Sequence, residues 1–150
     1  MGGYKLNTHG GYLRGSINNQ GADPYYTVVS PQKVNDNRWH YVVYRVSNLG
    51  APNTNLSLFI DGVPSNTYGP FSTVTWNTLV QDHFGIGYSD AVNTISCPFY
   101  FNGSIANVQV YNSILNDDQI LSQYYAGLSG DPIPANLIAW WPLDGNAFLI

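Results

Sequence analysis

The sequence predicts an all-β antiparallel sandwich or barrel. Short runs of period-2 alternation recur between clusters of Gly, Pro and Asn, and a single segment has helical spacing. A chain of 150 residues, 44% hydrophobic and 15% aromatic, suits one domain with a sizeable core.

Strands are expected over residues 4–7, 11–17, 25–30, 39–47, 56–61, 83–89 and 104–112. In 39–47, Trp39, Tyr41, Val43 and Arg45 alternate with His40, Val42, Tyr44 and Val46, so this strand reads as central and apolar on both faces. Asp61-Gly62, between Leu56-Ser57-Leu58-Phe59-Ile60 and Val63, predicts a tight hairpin because both residues accept positive φ. Residues 48–55 and 92–98 have the Gly, Pro and Asn density of surface loops, and 68–81 is ambiguous. The helix starts at Asn116, a cap with Gln119 three residues on and Asp117 and Asp118 in the first turn. Ile120, Leu121 and Tyr124 form its apolar stripe, Gly127 stops it, and it is expected to cap one end of the sandwich. Residues 128–135 are a linker by composition, stiffened by Pro132 and Pro134, and 136–143 read as a strand outside the preceding unit.

Composition excludes several partners. Only 9% of residues are charged and the net charge is -4, so the polar surface is one of Asn, Ser, Thr and Tyr. Five Lys and Arg against nine acids cannot neutralise a run of phosphates, which argues against nucleic acid and anionic membrane. No stretch approaches the roughly 20 apolar residues of a membrane span, so no insertion is expected. Cys97 stands alone, which forbids an intrachain disulfide and a thiolate metal cage. Met1 is followed by Gly-Gly-Tyr rather than a secretion signal, so the chain reads either as cytoplasmic or as a piece of something larger.

Four stretches together resemble the laminin-G-like branch of the concanavalin A-like lectin/glucanase superfamily: Arg38-Trp39-His40-Tyr41-Val42-Val43, Leu58-Phe59-Ile60-Asp61-Gly62-Val63, Phe84-Gly85-Ile86-Gly87, and the run from Phe101 to Asn112 followed by the helix. The resemblance implies a two-sheet antiparallel jelly roll with one short C-terminal helix. It covers 1–127, a sandwich lacking its usual opening strands. Trp140-Trp141-Pro142-Leu143-Asp144-Gly145-Asn146 looks like such an opening strand, yet it comes last. Three explanations follow. The chain spans a boundary in a tandem array, or 136–150 completes its own sandwich, or it completes a neighbour's. In this family's fold the first and last strands lie side by side, so 136–143 is expected against 104–112. Leu137, Ile138, Trp140, Trp141 and Leu143 would carry that assembly contact, in a homo-oligomer or polymer if donated.

The superfamily's glucanases use paired Glu on one strand, and every acid in this chain is Asp. No catalysis is therefore expected, and Asp117-Asp118 reads as a charged helix start. His9, His40 and His83 lack metal-ligand spacing and read as structural or surface groups, the first in a loop and the last two within strands. The Gly-x-Ser-x-Gly nucleophile motif is missing, and Cys97 has no nearby base. No cofactor is expected; the resemblance suggests Ca2+ as the ion to test, with Asp90, Asn93 and Asp144 as candidates. Ala106 stands where related sequences often carry Asp. Sugar binding needs flat aromatic faces and neutral hydrogen-bonding partners, which makes Trp76, Tyr88, Asp90 and Asn93 the candidate ligand site. Asn55 and Asn102 match the glycosylation acceptor pattern. The expected function is a non-catalytic extracellular or cell-surface recognition module for glycan or protein. A structural subunit polymerising through 136–143 is the alternative, and a degenerate glucanase the third.

Overall fold

The computed structural model describes residues 3–19, 22–49, 52–72, 85–89, 99–128, 130–134 and 136–143. Its elements are β1 (Gly3–His9), β2 (Tyr12–Asn19), β3 (Ala22–Lys33), β4 (Val42–Ser47), β5 (Thr54–Ile60), β6 (Val63–Phe71), β7 (Tyr88–Ser89), β8 (Phe99–Tyr100), β9 (Val108–Tyr111), α1 (Asp117–Ala126) and β10 (Leu137–Trp141). Among the described residues all pairing is antiparallel, in two three-stranded sheets, β1-β2-β3 and β4-β5-β6, and two short ladders, β7-β8 and β10-β9.

The two larger sheets face each other across one core. β3 lies over β5 and β6, and β2 over β5. Leu13, Ile17 and Val28 from one sheet meet Leu56, Leu58 and Ile60 from the other, with Val42, Tyr44 and Val46 packed against them. A second core lies on the reverse face of β4 and β5, where Phe59 meets Leu115 and Ile120, flanked by Tyr41, Val43, Tyr111 and Ile133. The alternation expected over 39–47 therefore holds from Tyr41 to Val46, with Val42, Tyr44 and Val46 entering one core and Tyr41 and Val43 the other.

Its position is different from the expectation. β5, not β4, is the middle strand, and among the described residues β4 pairs with β5 alone. An outer strand covered on both faces has the same apolar alternation as a central one. The strand is also shorter than expected, so Trp39, His40 and Tyr41 precede it in irregular backbone. Two further strands shrink, 104–112 to β9 and 83–89 to β7 in its described part. β6 was not anticipated beyond Val63.

Sheet β1-β2-β3 overhangs its partner. Tyr44 of β4 lies beneath Gly15 of β2, where an added Cβ would sit 2.5 Å from the ring. β1 is one strand further out. Its Tyr4 and Leu6 are paired with Ile17 and Gly15 and so share the core-facing side, yet they remain 58% and 42% exposed.

Among the described residues two tight turns have positive φ at both positions, Gly10 and Gly11 between β1 and β2, Asp61 and Gly62 between β5 and β6. The helix has the caps its sequence predicts: Asn116 accepts from the Gln119 N–H, Gln119 accepts from the Asn116 N–H, and Gly127 ends it at φ 72°. Ile120 is fully buried, while Gln123 rather than Tyr124 is the next buried side chain. The helix rests on the turn at Gly62, where an added Cβ would meet Leu121 and Tyr124. Arg45 fastens its start, donating to the Leu115 carbonyl at 3.2 Å and the Asp117 carboxylate at 2.7 Å.

Candidate functional site

Two places gather the residues that the sequence singled out. The first is the β7-β8 ladder. Its register sets Tyr88 opposite Tyr100 and Ser89 opposite Phe99. Phe101 continues the ladder by donating its N–H to the Gly87 carbonyl at 2.9 Å, and Gly87 at φ 74° turns the chain into β7. Tyr100 is 71% exposed and Phe101 45%. Sequence reading missed both, although the run Phe99-Tyr100-Phe101 after Pro98 was a visible aromatic cluster. Trp76, Asp90, Asn93 and Asp144 lie outside the described residues, as do His83 and Cys97.

The second place is the C-terminal strand. β10 pairs with β9 within the same chain: Leu137 opposite Tyr111, Ala139 opposite Val110, Trp140 opposite Gln109 and Trp141 opposite Val108. The Asn112 N–H donates to the Asn136 carbonyl, and the Asn107 N–H to the Pro142 carbonyl, extending the ladder at both ends. Ile138 is 60% exposed, and Leu143 follows the strand at φ 57°.

A side-chain network fastens this strand. Asn107, at φ 52°, accepts at Oδ1 from Trp140 Nε1 and from Gln109 Nε2, both at 2.8 Å. Gln109 Oε1 accepts from the Tyr111 hydroxyl at 2.6 Å, and that hydroxyl oxygen accepts from the Ile133 N–H. Gln123 on α1 donates to the Asp131 carbonyl and Asn107 to the Gly130 carbonyl. The segment expected to be a linker is thus bound along 130–134. Burial pushes the Tyr111 hydroxyl up while the Ile133 N–H favours its charged form; burial, reinforced by Tyr111, pushes Tyr41 up to about 12.

Among the described residues, Asp36, Asp61 and Asp117 pair with basic side chains. His40 stands between two carboxylates, with Nδ1 2.9 Å from Asp61 and Nε2 3.0 Å from Asp36. Asp61 also accepts the Tyr41 N–H, so its hairpin turn holds the strand's approach. The hydrogen bond from Asp61 raises His40, with Asp36 adding to it against the cost of burial, and the bond to His40 lowers Asp36. Asp36 and Asp61 meet opposite sides of one ring and cannot converge on one ion, and among the described residues no three such groups form a metal cluster. No helix of the described residues is long and apolar enough to cross a membrane.

The family model of the laminin G type, described as the concanavalin A-like lectin/glucanases superfamily, matches residues 2–121. The chain belongs to this superfamily. The match covers both large sheets and the first half of α1, and stops before β10. No curated protein matches. Among solved structures, an S-layer domain-containing protein (residues 221–444) from Clostridium thermocellum is similar, with a TM-score of 0.49 and 17% identity over 81% of this chain. The superfamily domain spans 55% of that chain.

Proposed function

We propose that this superfamily domain is a non-catalytic recognition module of an extracellular or cell-surface protein, binding glycan or protein through the β7-β8 ladder. The observation that carries the reading is the exposure of Tyr100 and Phe101 on a ladder that also contains Tyr88. Exposed rings with amide and hydroxyl neighbours, Asn102 and Ser104 here, suit stacking on sugar rings or an interfacial aromatic anchor. The test is a glycan array followed by titration calorimetry, with Tyr88→Ala and Tyr100→Ala. Selective hits weakened about tenfold support the reading; no hits, or hits indifferent to both substitutions, refute it.

A second reading is assembly by strand exchange. β10 has one partner strand among the described residues and is joined through a segment carrying Pro132 and Pro134. Donated to a second copy, it would meet the same β9 partners in the same register. Light scattering behind size exclusion, on the full chain and on one shortened after Gly127, tests it: oligomers that vanish on truncation support exchange, and a monomer at all concentrations refutes it.

A further inference from the structure

Asn102-Gly103 is the only asparagine-glycine pair in the sequence. In any asparagine the side-chain amide carbon lies within reach of the next residue's backbone nitrogen, and glycine in that next position has no side chain to crowd the approach. Whether the two atoms react is then decided by how the fold holds the pair.

Here the fold leaves the pair open. Asn102, Gly103 and Ser104 are all exposed, in irregular backbone between the β7-β8 ladder and β9. Among the described residues no hydrogen bond holds the Asn102 side chain or the Gly103 N–H. Comparable pairs elsewhere are restrained. Asn66 Oδ1 accepts the Thr67 N–H at 2.8 Å, engaging the very nitrogen that would attack, and Asn66 Nδ2 donates to the Val29 carbonyl. Asn107 is bonded to Trp140 and Gln109 and is followed by the branched Val108 at the start of β9. Asp61-Gly62 has the same following glycine, but Gly62 is buried and the Asp61 carboxylate is held by His40 and the Tyr41 N–H. Glycine at 103 also suits the packing, since an added Cβ would lie 2.8 Å from the Phe101 ring.

We infer that Asn102-Gly103 is a self-modifying site, at which Asn102 is converted in the folded protein to aspartate and isoaspartate with water as the co-reactant. The Gly103 nitrogen loses its proton and attacks Asn102 Cγ. The Cγ–Nδ2 bond breaks, Nδ2 takes up a proton and leaves as ammonia, and a five-membered succinimide closes. Water then opens the ring. Cleavage between Cγ and the Gly103 nitrogen gives aspartate, and cleavage between the Asn102 main-chain carbonyl carbon and that nitrogen gives isoaspartate. Nothing is oxidised or reduced. Either product adds one negative charge to a chain of net charge -4, beside the exposed Phe101 ring. Isoaspartate also lengthens the main chain by one methylene between the ladder and β9. The reaction needs only this loop, so it stands apart from the ligand proposed for the ladder.

The test holds the folded full chain at mildly alkaline pH and body temperature beside a synthetic peptide of residues 99–106. Peptide mapping by mass spectrometry follows both, and labelling with an isoaspartyl methyltransferase counts isoaspartate. Asn102 should be the first asparagine to convert, at a rate within about tenfold of the peptide's, and faster as pH rises. Gly103→Ala should slow the conversion about tenfold, and Asn102→Gln should abolish the isoaspartate signal, each with thermal unfolding like the parent's. A folded chain slowed by more than about tenfold against the peptide, conversion of another asparagine first, or a Gly103→Ala variant that reacts as fast as the parent would each overturn the inference.

Discussion

Replacing Asn107 by Ala would show how firmly the C-terminal strand is held. The side chain's oxygen is the shared acceptor of Trp140 Nε1 and Gln109 Nε2, both at 2.8 Å. Each of these half-buried donors, left to find water, costs about 1 kcal/mol. The backbone adds to this, since Asn107 sits at φ 52°, a region that costs a residue with a Cβ roughly 1 kcal/mol and that Asn tolerates best. The expected loss is about 3 kcal/mol, a large part of the roughly 5–15 kcal/mol that a domain has, and a fall of roughly 10 °C in Tm. Urea unfolding followed by tryptophan fluorescence reads it. Asn107→Gly separates the parts, because it removes the same side chain but frees the backbone, and should lose about 1 kcal/mol less than Ala. An Ala variant within about 0.5 kcal/mol of the parent would refute the network's role, and a Gly variant no better than Ala would refute the backbone term.

Two further outcomes follow from titrating and buried groups. His40 is raised by its carboxylate partners, so its contribution is complete below the ordinary value of 6.5 and is lost as pH rises through the raised value; Asp36 is lowered, so its share is present above 3.8 and lost only in stronger acid. The Tm difference between the parent and His40→Gln should therefore be largest between these limits and narrow above neutrality, and a difference that widens with pH would contradict the pairing. The Tyr44 hydroxyl is buried with no hydrogen-bond partner among the described residues, and burial, with Tyr4 nearby, pushes it well above the ordinary phenol value. Tyr44→Phe should leave stability unchanged or raise it by about 1 kcal/mol in urea unfolding, whereas a loss of that size would show that the hydroxyl is bonded.

What was legible in the sequence was what local chemistry decides. Asn116, Gln119 and Gly127 specify the ends of α1 through bonds within a few residues, and Asp61-Gly62 specifies its turn through positive φ alone. β6 escaped because Pro64, Gly69 and Pro70 read as turn residues; on an outer strand a missing N–H leaves no central ladder broken. The order of β4 and β5 escaped because Tyr41 and Val43 face α1 and Phe59 much as they would face a second sheet. The pairing of β10 with β9 was expected from the resemblance, but its network was not, since it needs Asn107, Gln109, Gln123 and Trp140 to converge from three elements. Tyr100 was visible in the run Phe99-Tyr100-Phe101, but its place opposite Tyr88 needed the register.

The antiparallel docking of β10 also fixes how this strand responds to mechanical load. Tension applied beyond Leu143 reaches Trp141 and Val108 first and Leu137 and Tyr111 last, so the ladder opens as a zipper, one bond at a time, rather than in shear. A zipper is weakest where force enters it. In this chain that end is the reinforced one, because the bonds from the Asn107 N–H to Pro142 and from Trp140 to Asn107 must both part before the ladder can peel. If a load ever bears on the C-terminal side, Asn107 is the rivet that sets the rupture force.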